Sequence, residues 1–200
     1  VQTITIQDTT APTFTVPADV TLECDTDLTD VTLTGDVTDE ADNCSTNLEA
    51  TFTDAITDGD CANTSIITRT WSLTDDCDNT TTLVQTITLE DTTAPTFTVP
   101  ADVTLECDTD LTDVSLTGDV TDEADNCSTN LEATFTDTIT DGDCANTSII
   151  IRTWLLTDDC DNTTTLVQTI TLEDTTAPTF TVPADVTLEC DTDLTDVSLT

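Results

Sequence analysis

Apolar residues occupy alternate positions over several short stretches of the chain, which is the pattern of half-buried β-strands. The longest stretch has apolar side chains on one parity: Phe14, Val16, Ala18, Val20, Leu22 and Cys24. Pro17 falls on the other parity, and an edge strand tolerates the missing N–H group of a proline. The pattern therefore predicts one long strand over residues 13–24.

Four more apolar groups follow, separated by clusters of Asp, Asn and Gly that are typical of turns. They predict a second strand at Val31, Leu33 and Val37 with Gly35 among them, a third at Leu48, Ala50, Phe52 and Ile56, a fourth at Ile67, Trp71 and Leu73, and a fifth at Leu83, Ile87 and Leu89. Short alternating strands in this number are typical of an all-β fold. We expect immunoglobulin-like β-sandwich domains, arranged in tandem as a linear array.

The tandem arrangement follows from a repeat. The segment Val-Gln-Thr-Ile-Thr begins at Val1, Val84 and Val167, in two steps of 83 residues. The first two repeats differ at six positions: Ile6/Leu89, Gln7/Glu90, Thr32/Ser115, Ala55/Thr138, Thr68/Ile151 and Ser72/Leu155. A fixed period of this length indicates an array of small domains in which each unit packs on itself and its neighbours.

The period also divides the chain. We expect residues 1–8 to be the last strand of a preceding repeat, and residues 9–91 and 92–174 to be two repeat domains. Residues 175–200 then begin a third, truncated domain, so the chain is expected to be a window on a longer array.

Acidic residues dominate the charge, with 42 Asp and Glu against two arginines, Arg69 and Arg152, and a net charge of −40. Such a surface repels nucleic acids and anionic membranes, so we expect neither nucleic-acid binding nor direct membrane insertion. No apolar run approaches the ~20 residues of a membrane span. The chain lacks His and Lys, the usual general bases, so we do not expect an enzyme.

Cysteines occur four to a repeat, and in the first repeat they are Cys24, Cys44, Cys61 and Cys77. An even number in a polar chain points to disulfides in an extracellular protein. Zinc is the alternative, but the chain has neither a CxxC pair nor a histidine to support it.

Strand direction constrains the pairing. It places Cys24 and Cys61 where the chain leaves the repeat, the exit end, and Cys44 and Cys77 where the chain enters, the entry end. A strand of about ten residues spans ~33 Å, whereas a disulfide needs Cα atoms within ~7 Å. We therefore expect four pairs, each at one end of a repeat: Cys24–Cys61, Cys44–Cys77, Cys107–Cys144 and Cys127–Cys160.

The third and fourth strands also predict a register. If Phe52 faces Trp71, then Asp54 faces Arg69 on the apolar parity. A half-buried charge requires a partner, so we expect the internal ion pairs Asp54–Arg69 and, in the second repeat, Asp137–Arg152. Ligand binding by Arg69 is the alternative.

Acidic residues gather where two repeats meet. The exit end of the first repeat carries Glu23, Asp25, Asp27, Asp58, Asp60 and Asp91, and the entry end of the second carries Asp122, Glu123, Asp125, Asp158, Asp159 and Asp161. Calcium takes six to eight oxygen ligands, many of them carboxylates. We expect calcium to bridge successive repeats at this junction, and the alternative is a solvated acidic surface.

Three segments carry a family resemblance: Asp-Thr-Thr-Ala-Pro-Thr-Phe-Thr-Val-Pro-Ala-Asp-Val-Thr-Leu-Glu-Cys at 8–24, Asp-Asn-Cys at 42–44, and Thr-Arg-Thr-Trp-Ser-Leu-Thr-Asp-Asp-Cys at 68–77. They resemble hyalin-type (HYR-like) immunoglobulin-fold repeats and, more closely, the arrays of very large surface adhesins of the Bacteroidetes, including gliding-motility adhesins. The resemblance implies export by the type IX pathway. It also implies O-glycosylation where Asp-Thr precedes a small or apolar residue, at Thr9, Thr92, Thr138 and Thr175.

We therefore expect structural extension repeats of a secreted cell-surface adhesin or filament, rigidified by calcium, that hold an adhesive region away from the cell. Its partners are then the neighbouring repeats of the same chain and, through other regions, a surface or glycan ligand. Two alternatives stay open: a repeated module that binds a glycan or surface ligand, and a subunit of a self-assembling extracellular filament.

Overall fold

A computed structural model of the chain describes residues 1–144 and 146–191. The first repeat contains β1 (Thr13–Thr15), β2 (Val20–Glu23), α1 (Val31–Thr34), β3 (Thr38–Ala41), β4 (Thr51–Asp58), β5 (Ser65–Thr74) and β6 (Thr80–Glu90). The second contains β7 (Thr96–Thr98), β8 (Val103–Glu106), α2 (Val114–Thr117), β9 (Thr121–Ala124), β10 (Thr134–Asp141), β11 (Ser148–Thr157) and β12 (Thr163–Glu173). The same elements thus recur in the same order at the sequence period.

Each repeat has the same two sheets. In the first repeat a four-stranded sheet has the order β2-β6-β5-β4, and a two-stranded sheet pairs β1 with β3. The β2–β6 pair is parallel and the other pairs are antiparallel. The second repeat has the equivalent sheets β8-β12-β11-β10 and β7-β9. The chain is therefore all-β, and two sheets per repeat are consistent with a β-sandwich.

The long strand that alternation predicts over residues 13–24 is wrong in one respect, because it is broken in two. Thr13 of β1 lies opposite Ala41 of β3, whereas Val20 of β2 lies opposite Ile87 of β6. The chain changes sheets near Pro17, which has no N–H group to continue a ladder. Gly35 packs so closely here that a Cβ added to it would lie 2.7 Å from the Cβ of Pro17.

The predicted second strand is also wrong. Residues 31–34 form a single helical turn, α1, whose N-cap Asp30 accepts a hydrogen bond from the Thr32 N–H at 2.9 Å. Gly35 ends the turn with a φ of 90°, a conformation that glycine adopts without strain. The cap and the glycine therefore outweigh the apolar alternation, and Leu33 is left 48% exposed.

Neither end of the chain forms a strand among the described residues. Residues 1–8, expected as a strand, are not part of either sheet of the first repeat. Residues 175–191 of the expected third repeat also form no strand, and residues 192–200 of it lie outside the described residues.

The third, fourth and fifth predicted strands correspond to β4, β5 and β6. Phe52 lies opposite Trp71 and Asp54 opposite Arg69, which is the register that the sequence predicts. Burial alternates along β5, as expected for a strand with one face against the core. The three substitutions that fall in β4 and β5, Ala55/Thr138, Thr68/Ile151 and Ser72/Leu155, all lie on the opposite face.

The core of the first repeat has two apolar clusters, and the second repeat has the equivalent pair. One contains Phe14, Trp71 and Leu73, and the other contains Ile67, Ile87 and Leu89. Between them Arg69 lies opposite Gln85 on the inner face, and both are buried. The polar layer that separates the clusters is therefore made by two side chains that cannot remain unpaired.

Hydrogen bonds satisfy the arginine of this layer. Arg69 Nε and Nη2 donate to the two carboxylate oxygens of Asp54, each at 2.9 Å, and Nη1 donates to Thr34 Oγ1. The guanidinium also lies 3.9 Å from the ring centroid of Phe52. Arg152 and Asp137 form the same pair in the second repeat, with Nε 2.9 Å from Oδ1. The two arginines therefore act inside the fold, and the outer surface carries no Lys or Arg side chain.

Candidate functional site at the junction of the repeats

Two disulfide bonds join the repeats across their junction. Cys24 pairs with Cys127, with Cα atoms 6.0 Å apart. Cys61 pairs with Cys160, with Cα atoms 5.3 Å apart. The expected bonds Cys24–Cys61 and Cys127–Cys160, each within one repeat, are therefore wrong.

The positions of the repeat ends explain why the cysteines pair between repeats and not within one. The parallel pairing of Glu23 with Glu90 places the end of β2 beside the end of β6, and the Cys24 N–H donates to the Glu90 carbonyl at 2.9 Å. Cys24 thus lies at the exit end, as strand direction predicts. The disulfides show that the entry end of the second repeat faces it. Strand direction does not distinguish a partner in the same repeat from one in the next.

The other two expected pairs, Cys44–Cys77 and Cys107–Cys144, are not formed either, and Cys190 is also free. Cys44 and Cys77 correspond by the repeat period to Cys127 and Cys160, and Cys107 and Cys144 correspond to Cys24 and Cys61. By the pairing rule of the observed junction, the partners of all four would be cysteines of neighbouring repeats.

Polar contacts accompany the disulfides. Asn63 Nδ2 donates to the carbonyl of Cys127 in the next repeat. Residues 91–95, between β6 and β7, form the linker between the repeats. The N–H of its residue Thr92 donates to Glu23 Oε2 at 3.3 Å, and the hydroxyl donates to Glu23 Oε1. The exit end therefore contacts both the linker and the following repeat.

Three aspartates of the expected calcium set converge beside the disulfides, and we call them the junction cluster: Asp91, Asp125 and Asp158. Asp91 is the linker residue directly after β6, Asp125 follows β9, and Asp158 follows β11. One carboxylate oxygen from each lies within 4.8 Å of the other two. Asp91 and Asp158 are only 7% and 6% exposed.

Each of these carboxylates uses one oxygen to hold the backbone. Asp125 Oδ2 accepts from the Cys127 and Ser128 N–H groups, both at 2.8 Å. Asp158 Oδ1 accepts from the Cys160 N–H at 2.8 Å, and Asp91 Oδ1 accepts from the Thr93 N–H at 3.2 Å. The second oxygen of each is buried and has no hydrogen-bond partner. Such unpaired buried oxygens are rare in folded proteins, and an ion or an ordered water is a common explanation for them.

A second copy of this arrangement lies one period earlier, and we call it the first cluster: Asp8, Asp42 and Asp75. Asp42 again caps two N–H groups through Oδ2, and Asp8 Oδ2 and Asp42 Oδ1 are again buried without a partner. One difference is that Asp75 Oδ2 accepts from Asn79 Nδ2 at 2.7 Å. The first cluster was not among the expected ligands, although the repeat period from Asp91, Asp125 and Asp158 leads directly to it.

The electrostatics of the two clusters reflect their surroundings. Burial raises the pKa of Asp91, and the negative charges of Asp125, Asp158 and Glu23 raise it further. The N–H groups of Ser45 and Cys44 lower the pKa of Asp42. A cation at the centre of the junction cluster would offset the repulsion that Asp91 experiences.

The remaining acids of the expected set do not join the cluster. Asp27 Oδ1 accepts from the Thr29 N–H at 2.9 Å, and Glu123 Oε1 accepts from the Ala133 N–H at 2.7 Å. Glu23 lies near Asp91 and the sulfur of Cys127, but a disulfide sulfur is not a thiolate ligand. Within the described residues, the other members are in no group of metal-binding size: Asp25, Asp58, Asp60, Asp122, Asp159 and Asp161.

The expected O-glycosylation positions are all exposed: Thr9, Thr92, Thr138 and Thr175. The hydroxyls of Thr92 and Thr175 donate to Glu23 and Glu106, respectively. A glycan at these two positions would therefore replace a contact of the linker.

The chain matches no protein-family model, and a comparison with curated proteins finds no relative. The two disulfides indicate an oxidising environment of the extracellular type. Among the described residues, no helix is long and apolar enough to cross a membrane.

Proposed function

We propose that the chain consists of structural, non-enzymatic extension repeats of a secreted cell-surface adhesin or filament, which hold an adhesive region away from the cell. In this proposal each repeat is an immunoglobulin-like β-sandwich domain of a linear array, as the resemblance to HYR-like repeats of Bacteroidetes adhesins implies. The observation that carries the proposal is the pair of disulfides across the junction.

Two disulfides and the peptide linker make three covalent connections between consecutive repeats. They start from different places at the exit end, namely Cys24 after β2, Cys61 after β4, and Asp91 after β6. Three separate attachments oppose bending and twisting of one repeat against the next, whereas one linker permits both. A junction of this kind is suited to bearing tension along an array.

The surface supports a spacer role. Both arginines are buried, so the exterior is uniformly acidic and repels other copies, nucleic acids and anionic membranes. Phe52 is 38% exposed, but it packs against Arg69 and lies 4.9 Å from Trp71. This aromatic ring therefore serves the core, which gives little support to a repeated glycan-binding module.

A cut in the linker tests the proposal. A protease sequence is inserted between Thr93 and Ala94, both exposed, in a variant that keeps only Cys24, Cys61, Cys127 and Cys160. After cleavage we expect one species without reductant and two with it. Pairing within each repeat would release two fragments without reductant and would overturn the proposal. Peptide mapping alone is ambiguous, because the peptides around Cys24 and Cys107 have the same sequence.

Length is the second measurement. A strand of about 11 residues spans ~36 Å, so each repeat is expected to advance the array by roughly 40 Å. Small-angle scattering of the oxidised chain should give a stiff rod, and reduction should increase its flexibility. The variant Cys44→Ser/Cys77→Ser is the control and should scatter like the wild type.

One observation favours a second candidate, the filament subunit. Cys44 and Cys77 are exposed and free at one end of the described array, and Cys107 and Cys144 are free at the other. Since equivalent cysteines bond at the observed junction, two chains are able to join end to end by the same disulfides. A ladder of oligomers on a non-reducing gel, abolished by Cys44→Ser/Cys77→Ser, would support this function. A monomer under oxidising conditions would contradict it.

A further inference from the structure

The junction cluster and the first cluster each gather three carboxylates around one point. In the junction cluster Asp91 Oδ2, Asp125 Oδ1 and Asp158 Oδ2 are all buried and unpaired. Asp91 and Asp158 are more than nine-tenths buried, and an unpaired carboxylate oxygen is costly in such a place. We propose that each cluster is a divalent-cation site that takes calcium, one site per repeat.

The spacing of the oxygens fits a single ion. Calcium binds oxygen at 2.3–2.6 Å, so two ligand oxygens on opposite sides of one ion are at most about 5 Å apart. One carboxylate oxygen from each of the three aspartates lies within 4.8 Å of the other two, which is inside that limit. No rearrangement of the backbone is needed, because the other oxygen of each carboxylate already holds it through N–H groups.

The donor set selects a hard cation. All three ligands are carboxylate oxygens, the chain has no histidine, and the nearby Cys127 is in a disulfide. Zinc and copper favour nitrogen and sulfur ligands. Magnesium requires near-ideal octahedral geometry and retains its waters, whereas calcium accepts irregular sites in which carboxylates and waters share the shell.

The site is smaller than the expected junction-bridging site. One ligand, Asp91, comes from the linker at the exit end of the first repeat, and two, Asp125 and Asp158, come from loops of the second. The other acids expected at the exit end are not in this group: Glu23, Asp25, Asp27, Asp58 and Asp60. The same set recurs at Asp8, Asp42 and Asp75, again as one residue before the first strand of a repeat and two loop residues of that repeat. The cation therefore clamps each linker onto the repeat that it enters.

The aspartates of the site also hold the disulfides. Asp125 accepts from the N–H of Cys127, and Asp158 accepts from the N–H of Cys160. A bound cation that fixes these two carboxylates also fixes the two cysteines that the preceding repeat must reach. This consequence rests on the proposed covalent array, whereas the site itself does not.

Calorimetric titration of the oxidised chain with calcium chloride tests the site. In about 150 mM NaCl, which screens diffuse binding to an acidic surface, we expect two saturable calcium ions per chain. Asp125→Asn and Asp42→Asn should each reduce the number to one, and the double variant should bind none. Asp159→Asn is the matched control: it removes the same charge beside Asp158 and should leave two.

Three results would overturn the proposal: no saturable binding by the wild type, an unchanged number in Asp125→Asn and Asp42→Asn, or an equal loss in Asp159→Asn. Folding is checked by thiol titration, because the native chain has five free cysteines. If a variant has a different number of free thiols, it is not natively folded and is set aside. The number of calcium ions bound by the wild type then supports or overturns the proposal.

Reoxidation of the reduced four-cysteine variant tests the consequence for the disulfides. In the presence of calcium, we expect a larger fraction of the chains to remain joined by disulfides after the linker is cut than in the presence of EDTA. Equal fractions would overturn the coupling of cation and disulfides. Equal fractions would not bear on the other two proposals. The calorimetric titration tests the cation site, and the cut in the linker tests the covalent array.

Discussion

The disulfide between Cys24 and Cys127 joins residues 103 positions apart, and these residues belong to different repeats. Its companion, Cys61–Cys160, makes the same crossing over 99 positions. The first repeat contributes Cys24 and Cys61 to this junction, and the second contributes Cys127 and Cys160. The same two bonds therefore affect both the stability of the chain and the placement of one repeat against the next.

Removing one junction disulfide should destabilise the chain. A disulfide that closes a loop of about 100 residues contributes about 2–5 kcal/mol, chiefly by restricting the unfolded chain. We expect Cys24→Ser/Cys127→Ser to lower the midpoint of thermal denaturation in circular dichroism. Cys44→Ser/Cys77→Ser removes two cysteines that have no partner in this chain and should not change it. Equal midpoints for the two variants would contradict the junction pairing.

Loss of the buried arginine should unfold its own repeat. In Arg69→Met the carboxylate of Asp54 loses its partner in a site where only 22% of its side chain is exposed, at a cost of about 3–5 kcal/mol. Because each repeat has one tryptophan, Trp71 fluorescence in a Trp154→Phe background reports on the first repeat alone. The control Arg152→Met should leave the Trp71 transition in place, and a shift as large as that of Arg69→Met would contradict this assignment.

The close contact of Gly35 with Pro17 should not tolerate a side chain. In Gly35→Ala the new Cβ meets the Cβ of Pro17 at 2.7 Å, and the φ of +90° adds strain. We expect a loss of more than about 1 kcal/mol in the free energy of unfolding, measured by denaturant titration. In the double variant Pro17→Gly/Gly35→Ala the steric part should be relieved, because glycine has no Cβ at position 17, and the backbone strain should remain. No recovery in the double variant would show that the contact with Pro17 is not the cause.

The contact between Glu23 and the linker should depend on pH. The hydroxyl of Thr92, followed by its N–H, lowers the pKa of Glu23 from its ordinary value of 4.5. A pKa that is lower in the folded state gives a stabilisation that is complete above the unfolded pKa and is lost as pH falls through the folded pKa. We therefore expect Thr92→Val to lower the melting temperature at about pH 7 and to match the wild type at about pH 3.

The second repeat contains an equivalent contact on which the same measurement can be made. Thr175 lowers the pKa of Glu106 in the same way, through its hydroxyl first and its N–H second. Thr175→Val should therefore show the same pH dependence. If the variant and the wild type differ in melting temperature by the same amount at both pH values, the threonines act by packing and not through the carboxylates.

Much of one repeat is encoded locally. The alternation along β5 and β6 predicted both strands, because a strand with one face in the core must alternate. The register that places Asp54 opposite Arg69 followed from the need of a half-buried charge for a partner. The same logic failed at residues 13–24 and 31–37, where Pro17, the Asp30 cap and Gly35 override the apolar pattern through backbone geometry.

The candidate cation site was also predicted only in part from the sequence. Asp91, Asp125 and Asp158 were among twelve expected ligands, because acidic residues at a junction are visible in the sequence. Only the folded chain selects these three, since the choice depends on which carboxylate oxygens the loops leave buried and unpaired. Asp8, Asp42 and Asp75 required the same observation, although the period already related them.

By itself the sequence determined the period, the all-β character, three strands of each repeat and the end at which each cysteine lies. These follow from local patterns, which every repeat contains in full. The tertiary structure alone decided that Cys24 bonds to Cys127 and not to Cys61. Repeats of nearly identical sequence offer equivalent cysteines to each other, so only the placement of one repeat against the next determines which sulfur atoms meet.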